Sequence, residues 1–123
     1  MRTVSDLNLP VKILVLNNKI LGMVGQWQRT FYEGRYSSSE FAEDYPDFVA
    51  GMKAMYGIPG RKIHKKDEVE PALKEMIQTQ GPFLLEAFIP RDEDCLPMVP
   101  SGKTVREMLF PKGILSPGPK DNR

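Results

Sequence analysis

The chain has few of the features that mark specialised classes of protein. Its 123 residues include one cysteine and one histidine, so an internal disulfide and a zinc site with the usual ligand count are both excluded. The formal net charge is +1, which leaves no basic field to attract nucleic acid or an anionic membrane. The apolar runs are too short to span a bilayer. We therefore expect no nucleic-acid partner and no membrane segment.

What remains is the composition of an ordinary globular protein. Hydrophobic residues make up 41% of the chain and charged residues 27%, close to the averages for such proteins, and the length suits one small domain. The single cysteine, Cys95, follows three acidic residues whose charge disfavours a thiolate, so we expect a structural thiol and no nucleophile. Likewise, we expect His64 to be a solvated residue at the end of a strand.

The hydrophobic pattern predicts alternating strands and helices with short connections. It places strands at residues 11–16, 61–63 and 83–89, and helices at residues 21–31, 46–56, 67–79 and 105–109. This order predicts an α/β fold with a mostly parallel sheet, as a partial three-layer sandwich. The first strand is apolar on both faces, which suits a central position, yet no further strand is available to pair with it. Our hypothesis is an unpaired apolar edge that lowers solubility.

Three helices carry apolar residues at helical spacing, which we expect to be buried. A proline in the first turn would begin the second helix and Gly57 would end it, and Asp67 with Glu70 has the spacing of a capping box. The apolar residues expected to be buried are Val24, Trp27 and Phe31 in the first helix, Phe48, Val49, Met52, Met55 and Tyr56 in the second, and Val69, Leu73, Met76 and Ile77 in the third.

Two side-chain amides, Asn17 and Asn18, directly follow the first apolar strand. The carboxyl end of a strand is where an open α/β sheet binds its ligands. An amide oxygen and a free backbone carbonyl there are hard, neutral donors that Mg²⁺ accepts when phosphate and carboxylate oxygens complete its shell. Taken alone, the pair is more typical of a turn than of a metal site, since asparagine tolerates positive φ.

A longer series of residues resembles the carboxyl-terminal part of the catalytic subunit of acetolactate synthases, which are thiamine-diphosphate enzymes. The resemblance runs from about Leu9 to about Leu109. The matching segments are Leu9-Pro10-Val11-Lys12-Ile13, Leu16-Asn17-Asn18, Leu21-Gly22-Met23-Val24, Gln26-Trp27-Gln28, Phe31-Tyr32-Glu33-Gly34-Arg35-Tyr36-Ser37, Pro46-Asp47-Phe48, Tyr56-Gly57 and Pro97-Met98-Val99-Pro100.

The resemblance implies the carboxyl-terminal half of a thiamine-diphosphate-binding fold, with thiamine diphosphate and Mg²⁺ as cofactors. The implied reaction condenses two 2-oxo acids, pyruvate with pyruvate or 2-oxobutyrate, with loss of CO₂ in branched-chain amino acid biosynthesis. A complete enzyme of this kind also binds FAD in a middle domain and forms a homodimer or tetramer, with or without a regulatory subunit. It works in the cytoplasm of bacteria, or in a plastid or mitochondrion of eukaryotes.

Five site residues follow from the resemblance. Asn18 would bind Mg²⁺ through its side-chain oxygen and Ile20 through its main-chain carbonyl, with Asn18, Gly22 and Met23 at the cofactor. Trp27 and Met23 would border the substrate and inhibitor position. From the residues alone, core packing is as good an interpretation for Met23 and the better one for Trp27. The resemblance assigns no catalytic residue to this chain and no role to Gln26 or Gln28.

One departure from the family is decisive for activity. The family opens its metal motif with Gly-Asp-Gly about two dozen residues before the paired asparagines, whereas this chain contains no Gly-Asp-Gly and has 16 residues before Asn17. We therefore expect an incomplete cofactor-binding domain at residues 1–110, a loose tail at residues 111–123, and no activity in isolation. The alternatives are a non-catalytic remnant, a module that docks onto intact subunits, or another carboligase such as a glyoxylate carboligase.

Overall fold

A computed structural model describes residues 1–41 and 45–111 of the chain. It has the predicted alternation of strands and helices, with bounds that differ from the predicted ones by one or two residues in most elements. Beyond residue 111, the tail predicted from the sequence lies outside the described residues. The elements are α1 (Arg2–Asp6), β1 (Lys12–Asn17), α2 (Gly22–Phe31), α3 (Phe48–Tyr56), β2 (Gly60–Ile63), α4 (Val69–Gln78) and β3 (Phe83–Phe88), with single 3₁₀ turns at Lys66–Glu68 and Val105–Glu107.

The three strands form one parallel sheet in the order β1-β3-β2. Lys12 of β1 pairs with Phe83 of β3, and the register continues to Asn17 opposite Phe88. The central strand is therefore β3, whose first four residues are buried, and β1 lies at an edge of the described sheet. The predicted α/β class is confirmed, and the central position that the apolar pattern suggested for β1 is wrong for this chain.

Helices cover both faces of the sheet at β2 and β3. Successive side chains of a strand point to opposite faces: Arg61 pairs with Glu75 of α4, whereas Lys62 pairs with Asp47 at the start of α3. The main core lies on the α4 side of the sheet. Its buried members are Ile63, Ala72, Met76, Phe83 and Leu85, with Leu73 and Ala87 packed against them.

The helix ends differ from the predicted ones for identifiable reasons. α3 begins after Asp47, whose carboxylate accepts a hydrogen bond from the Ala50 N–H at 2.9 Å, so Pro46 precedes the cap and is not part of the first turn. The helix ends at Gly57 with φ 67°, as predicted, because glycine adopts this left-handed conformation without strain. The predicted Asp67–Glu70 capping box is wrong.

Glu68 makes the capping contacts before α4. Its carboxylate accepts hydrogen bonds from the backbone N–H groups of His64 and Lys65, both at 2.9 Å. These two bonds lower the pKa of the Glu68 carboxyl, with the backbone of His64 making the largest contribution. A 3₁₀ turn thus precedes α4, and the cap sits earlier in the chain than sequence spacing indicated.

Several residues predicted to be buried are exposed. In each of the three helices, part of the predicted apolar stripe is exposed. The residues buried in α2 are Gly25 and Gln26. α3 has no fully buried residue, and α4 buries Ala72 and Met76. The exposed members of the predicted stripes include Val24, Phe31, Met55, Val69 and Ile77.

The face of β1 beside α4 is an open apolar groove. Leu14 is 48% exposed and Leu16 is 60% exposed, and both line a cavity of about 580 Å³ together with Val69 and Leu73 of α4. The Lys12 side chain does not cover the exposed leucines of this strand, because its ammonium group donates to the backbone carbonyls of Thr79 and Gly81, both at 2.6 Å. The geometry matches the unpaired apolar edge expected from the sequence. Within residues 1–41 and 45–111, the helices are all too short or too polar to cross a membrane.

Candidate functional site

The paired asparagines form a tight turn at the carboxyl end of β1. The side-chain amide of Asn17 donates to Glu86 on β3 at 2.7 Å, and its oxygen accepts the N–H of Lys19 at 2.9 Å. Lys19 takes a positive φ of 55°. Asn17 is 8% exposed, so it anchors the turn inside the fold and leaves the next residues at the rim of the sheet.

Two oxygens of this turn have spare capacity to bind a cation. The Asn18 side-chain oxygen accepts one long hydrogen bond, from the N–H of Ile20 at 3.3 Å. The Ile20 carbonyl accepts no hydrogen bond from any described residue. The sheet edge therefore presents one amide oxygen and one carbonyl oxygen, the ligand types that Mg²⁺ takes from proteins.

The backbone around Ile20 is held from two sides. Ile20 forms a bridge with Glu40, in which the N–H of Leu21 donates to the Ser39 carbonyl at 2.8 Å. Its side chain is 4% exposed and lies against Gly25 of α2, where an added Cβ would fall 2.5 Å from the Ile20 Cδ1. Close packing of α2 thus holds Ile20, whose carbonyl accepts no hydrogen bond from the described residues.

The amino end of α2 leads away from this turn. Gly22 begins the helix, and a Cβ placed there would lie 3.1 Å from the Asn18 amide nitrogen. Met23 is 53% exposed, so it is not a core residue of the described chain. Trp27 is half-buried, with its ring edge-to-face with Phe31 at 5.1 Å. The five predicted site residues therefore share one continuous stretch from the turn into the first two turns of α2.

Gln26 and Gln28, which had no role from the sequence, connect α2 to two other segments. Gln26 is 2% exposed, and its oxygen accepts the N–H of Cys95 at 2.8 Å while its nitrogen donates to the sulfur of Met98 at 3.0 Å. Gln28 accepts the Ser39 hydroxyl at 2.5 Å. No local pattern indicated these contacts, because the partners of Gln26 lie about seventy residues away and that of Gln28 lies in the following segment.

Arg29 forms a charged cluster beside the same helix. Its guanidinium contacts the carboxylates of Asp92 and Asp94 and donates to the Tyr36 hydroxyl at 3.3 Å. The hydrogen bond with Tyr36, followed by the interactions with Asp94, raises the pKa of Arg29 although partial burial opposes this. The cluster ties the segment after α2 to the segment after β3, and sequence reasoning missed it because its members are distant along the chain.

The described residues at this turn offer a cation two neutral oxygens and no acidic cluster. No group of three or more histidine, cysteine, aspartate or glutamate side chains that could hold a metal occurs in residues 1–41 and 45–111. Two neutral oxygens leave the ion's charge unbalanced unless phosphate and carboxylate groups come from elsewhere. The arrangement fits one half of a cation and diphosphate site.

Comparison with known proteins gives this half-site a context. Acetolactate synthase 1, chloroplastic, of Oryza sativa subsp. japonica is 44% identical over 109 residues, which cover 84% of this chain and 17% of the relative. The acetolactate synthase isozyme 2 large subunit of Escherichia coli (strain K12) is 44% identical over 107 residues, covering 87% and 19%. The mitochondrial acetolactate synthase of Schizosaccharomyces pombe is 38% identical over 112 residues, covering 91% and 16%.

The chain thus spans less than a fifth of the length of these relatives, which include chloroplastic, mitochondrial and bacterial proteins. A profile of one protein family matches residues 1–87, a segment that includes the asparagine turn, the whole sheet up to Ala87 and all four helices. Its description is "Thiamine pyrophosphate enzyme, C-terminal TPP binding domain". This protein chain belongs to the thiamine pyrophosphate enzyme family, and its residues 1–87 match the family's C-terminal TPP-binding domain.

Proposed function

We propose that the turn after β1 is half of a magnesium and diphosphate cradle. Asn18 binds the ion through its side-chain oxygen and Ile20 through its carbonyl. The observation that carries this proposal is the spare acceptor capacity of these two oxygens at the carboxyl end of a parallel strand. The matching family supports thiamine diphosphate as the cofactor whose diphosphate the ion would hold.

The first turns of α2 border the cofactor and the substrate in this proposal. Gly22 lets the cofactor approach, since a side chain there would press on the Asn18 amide. Met23 is half exposed and unbranched, so it forms an adaptable apolar wall. Trp27 presents a large apolar surface one helical turn further, at the entrance for the substrate or an inhibitor.

The complete activity is that of an acetolactate synthase. Thiamine diphosphate supplies the electron sink for the condensation of two 2-oxo acids with loss of CO₂, and this chain contributes the metal ligands and the wall of the pocket. Pyruvate and 2-oxobutyrate are the substrates, and the branched-chain amino acids isoleucine and valine the end products. The complete protein would also bind FAD and form a homodimer or tetramer, with or without a regulatory subunit, in the compartment where it works. We assign no residue of this chain to these properties.

A direct titration tests whether the chain works alone. We expect no saturable binding of thiamine diphosphate with Mg²⁺ in isothermal titration calorimetry, because two neutral ligands without an acidic partner do not balance the ion's charge. Micromolar affinity would show that the chain carries a complete site and would contradict the half-cradle. The exposed groove beside β1 favours a competing function, that of a non-catalytic docking module. Both functions predict no binding in this titration, so it does not distinguish them.

Reconstitution separates those two functions. The chain is mixed with a polypeptide that supplies the preceding part of an acetolactate synthase catalytic subunit, and acetolactate formation from pyruvate is measured. We expect Mg²⁺-dependent activity that Asn18→Ala lowers by roughly 10²-fold or more through weaker metal binding. Gln80→Ala is the matched control, since it removes an exposed amide before β3, at the opposite end of the sheet. Complex formation without activity would support the docking module instead.

A further inference from the structure

A carboxylate lies in the centre of the sheet where an apolar side chain would be expected. Glu86 of β3 is 2% exposed. Its Oε1 accepts the Asn17 amide at 2.7 Å, and its Oε2 is buried with no hydrogen-bond partner among the described residues. Leu84, two residues earlier on the same face, is buried and apolar. Glu86 is therefore an exception within its own strand.

Fold stability does not account for this residue. A buried carboxylate oxygen without a donor is costly, and an apolar side chain of similar size would avoid that cost. The cation in register with it across the sheet does not neutralise it: Lys62 of β2 pairs with Glu86 in the ladder, but its ammonium group donates to Asp47 at 2.5 Å. The one described partner of Glu86 is the amide of Asn17.

That single contact determines which way the Asn17 amide faces. The Asn17 amide has one donor nitrogen and one acceptor oxygen. Its nitrogen donates to Glu86 Oε1, which directs its oxygen toward the turn. There the oxygen accepts the Lys19 N–H at 2.9 Å, which holds Lys19 at its positive φ of 55°. The next residue is Ile20.

We propose that Glu86 is a positioning residue for the metal cradle: it holds Asn17 in the one orientation that shapes the turn presenting Asn18 and Ile20. The inference rests on the proposed function for the identity of the bound ion, but the positioning itself is testable in the chain alone. Residues behind the ligands of a metal commonly orient those ligands in this way.

The test is hydrogen exchange of the Lys19 amide, measured by NMR on the ¹⁵N-labelled full chain. We expect Glu86→Leu to accelerate exchange roughly tenfold, the equivalent of one ordinary hydrogen bond, and Glu86→Gln to stay near the unsubstituted rate because its amide oxygen still accepts from Asn17. Leu84→Val controls for lost stability on the same face: it lowers the unfolding temperature without changing Lys19 exchange. Equal rates in Glu86→Leu and the unsubstituted chain would overturn the proposal.

A second variant keeps the test decisive if Glu86→Leu does not fold. Asn17→Ala removes the other partner, and it should accelerate Lys19 exchange by a similar factor with Glu86 intact. An unchanged Lys19 rate in a folded Asn17→Ala chain would equally overturn the proposal. In the reconstituted enzyme, Glu86→Leu should raise the Mg²⁺ concentration for half-maximal activity roughly tenfold, with Glu86→Gln near normal. If the unsubstituted chain gives no activity, the proposed function fails, while the exchange rates still decide the role of Glu86.

Discussion

Gly25 and Gly51 offer a matched test of how tightly α2 is packed against the turn after β1. Each is the fourth residue of its helix, and each donates its N–H to the residue four earlier at 2.8 Å. Their surroundings differ. A Cβ added at Gly51 meets nothing within 4 Å, whereas a Cβ at Gly25 lies 2.5 Å from the Cδ1 of the buried Ile20.

The same substitution should therefore have opposite effects. Gly51→Ala gains the helix propensity of alanine, about 0.5–1 kcal/mol. Gly25→Ala gains the same amount but must displace a methyl group in a packed site, which costs about 1–3 kcal/mol. We expect Gly51→Ala to raise the free energy of unfolding and Gly25→Ala to lower it, with a difference of about 1–3 kcal/mol between the two variants.

Urea denaturation followed by circular dichroism measures both free energies, and a double mutant identifies the cause. Ile20→Val removes the Cδ1 atom that the new methyl group would meet. It costs about 0.5–1.5 kcal/mol alone, but combined with Gly25→Ala it should show a favourable coupling of about 1 kcal/mol or more. Stabilities of Gly25→Ala and Gly51→Ala within about 0.5 kcal/mol, or additive effects in the double mutant, would refute the reasoning.

Two further predictions concern the cap of α3 and the open groove. Asp47→Ala should lower the free energy of unfolding at pH 7 by about 1 kcal/mol, with Asp67→Ala as a neutral control. The Ala50 N–H, followed by Lys62, lowers the pKa of Asp47 in the folded chain. The stabilisation is therefore present above the ordinary aspartate pKa of about 3.9 and should be lost below it, as the pH falls through the lowered pKa of the folded chain. Denaturation curves that show the same loss at pH 7 and at about pH 2.5 would contradict the assignment. Leu14→Gln with Leu16→Gln should reduce the fluorescence of a hydrophobic dye by roughly half or more. Ile77→Gln, which changes a more exposed residue outside the groove, should leave it unchanged.

The sequence was informative where a local pattern determines the structure. The period of the apolar residues located the three strands, and Gly57 marked the end of α3, because backbone conformation depends on neighbouring residues. It was misleading where burial depends on distant partners. Val24 and Phe31 have helical spacing, yet both are exposed, since nothing in the described chain lies on that side of α2. Gln26 is buried instead, through contacts with a segment about seventy residues away.

The candidate site shows the same division. Asn18, Ile20, Gly22, Met23 and Trp27 lie within ten consecutive residues, so a motif could indicate them all, and their ligand roles remain a prediction. The supporting contact of Glu86 with Asn17 joins residues 69 apart, and no local pattern contains it. The sequence motif therefore indicated the residues proposed for the site, and it missed the contact that holds the turn in place.

β1 combines two incomplete features. Its carboxyl end leads into the turn with the two oxygens that have spare acceptor capacity, and its edge has no strand partner in the described part of the chain. A polypeptide that paired with this edge would add its own strand end to the same rim, since carboxyl ends of parallel strands lie together, and could bring the acidic ligands there. Pairing and ion binding would then be linked, and each should strengthen the other by the same factor. An Mg²⁺-independent affinity between the two polypeptides would argue against that linkage.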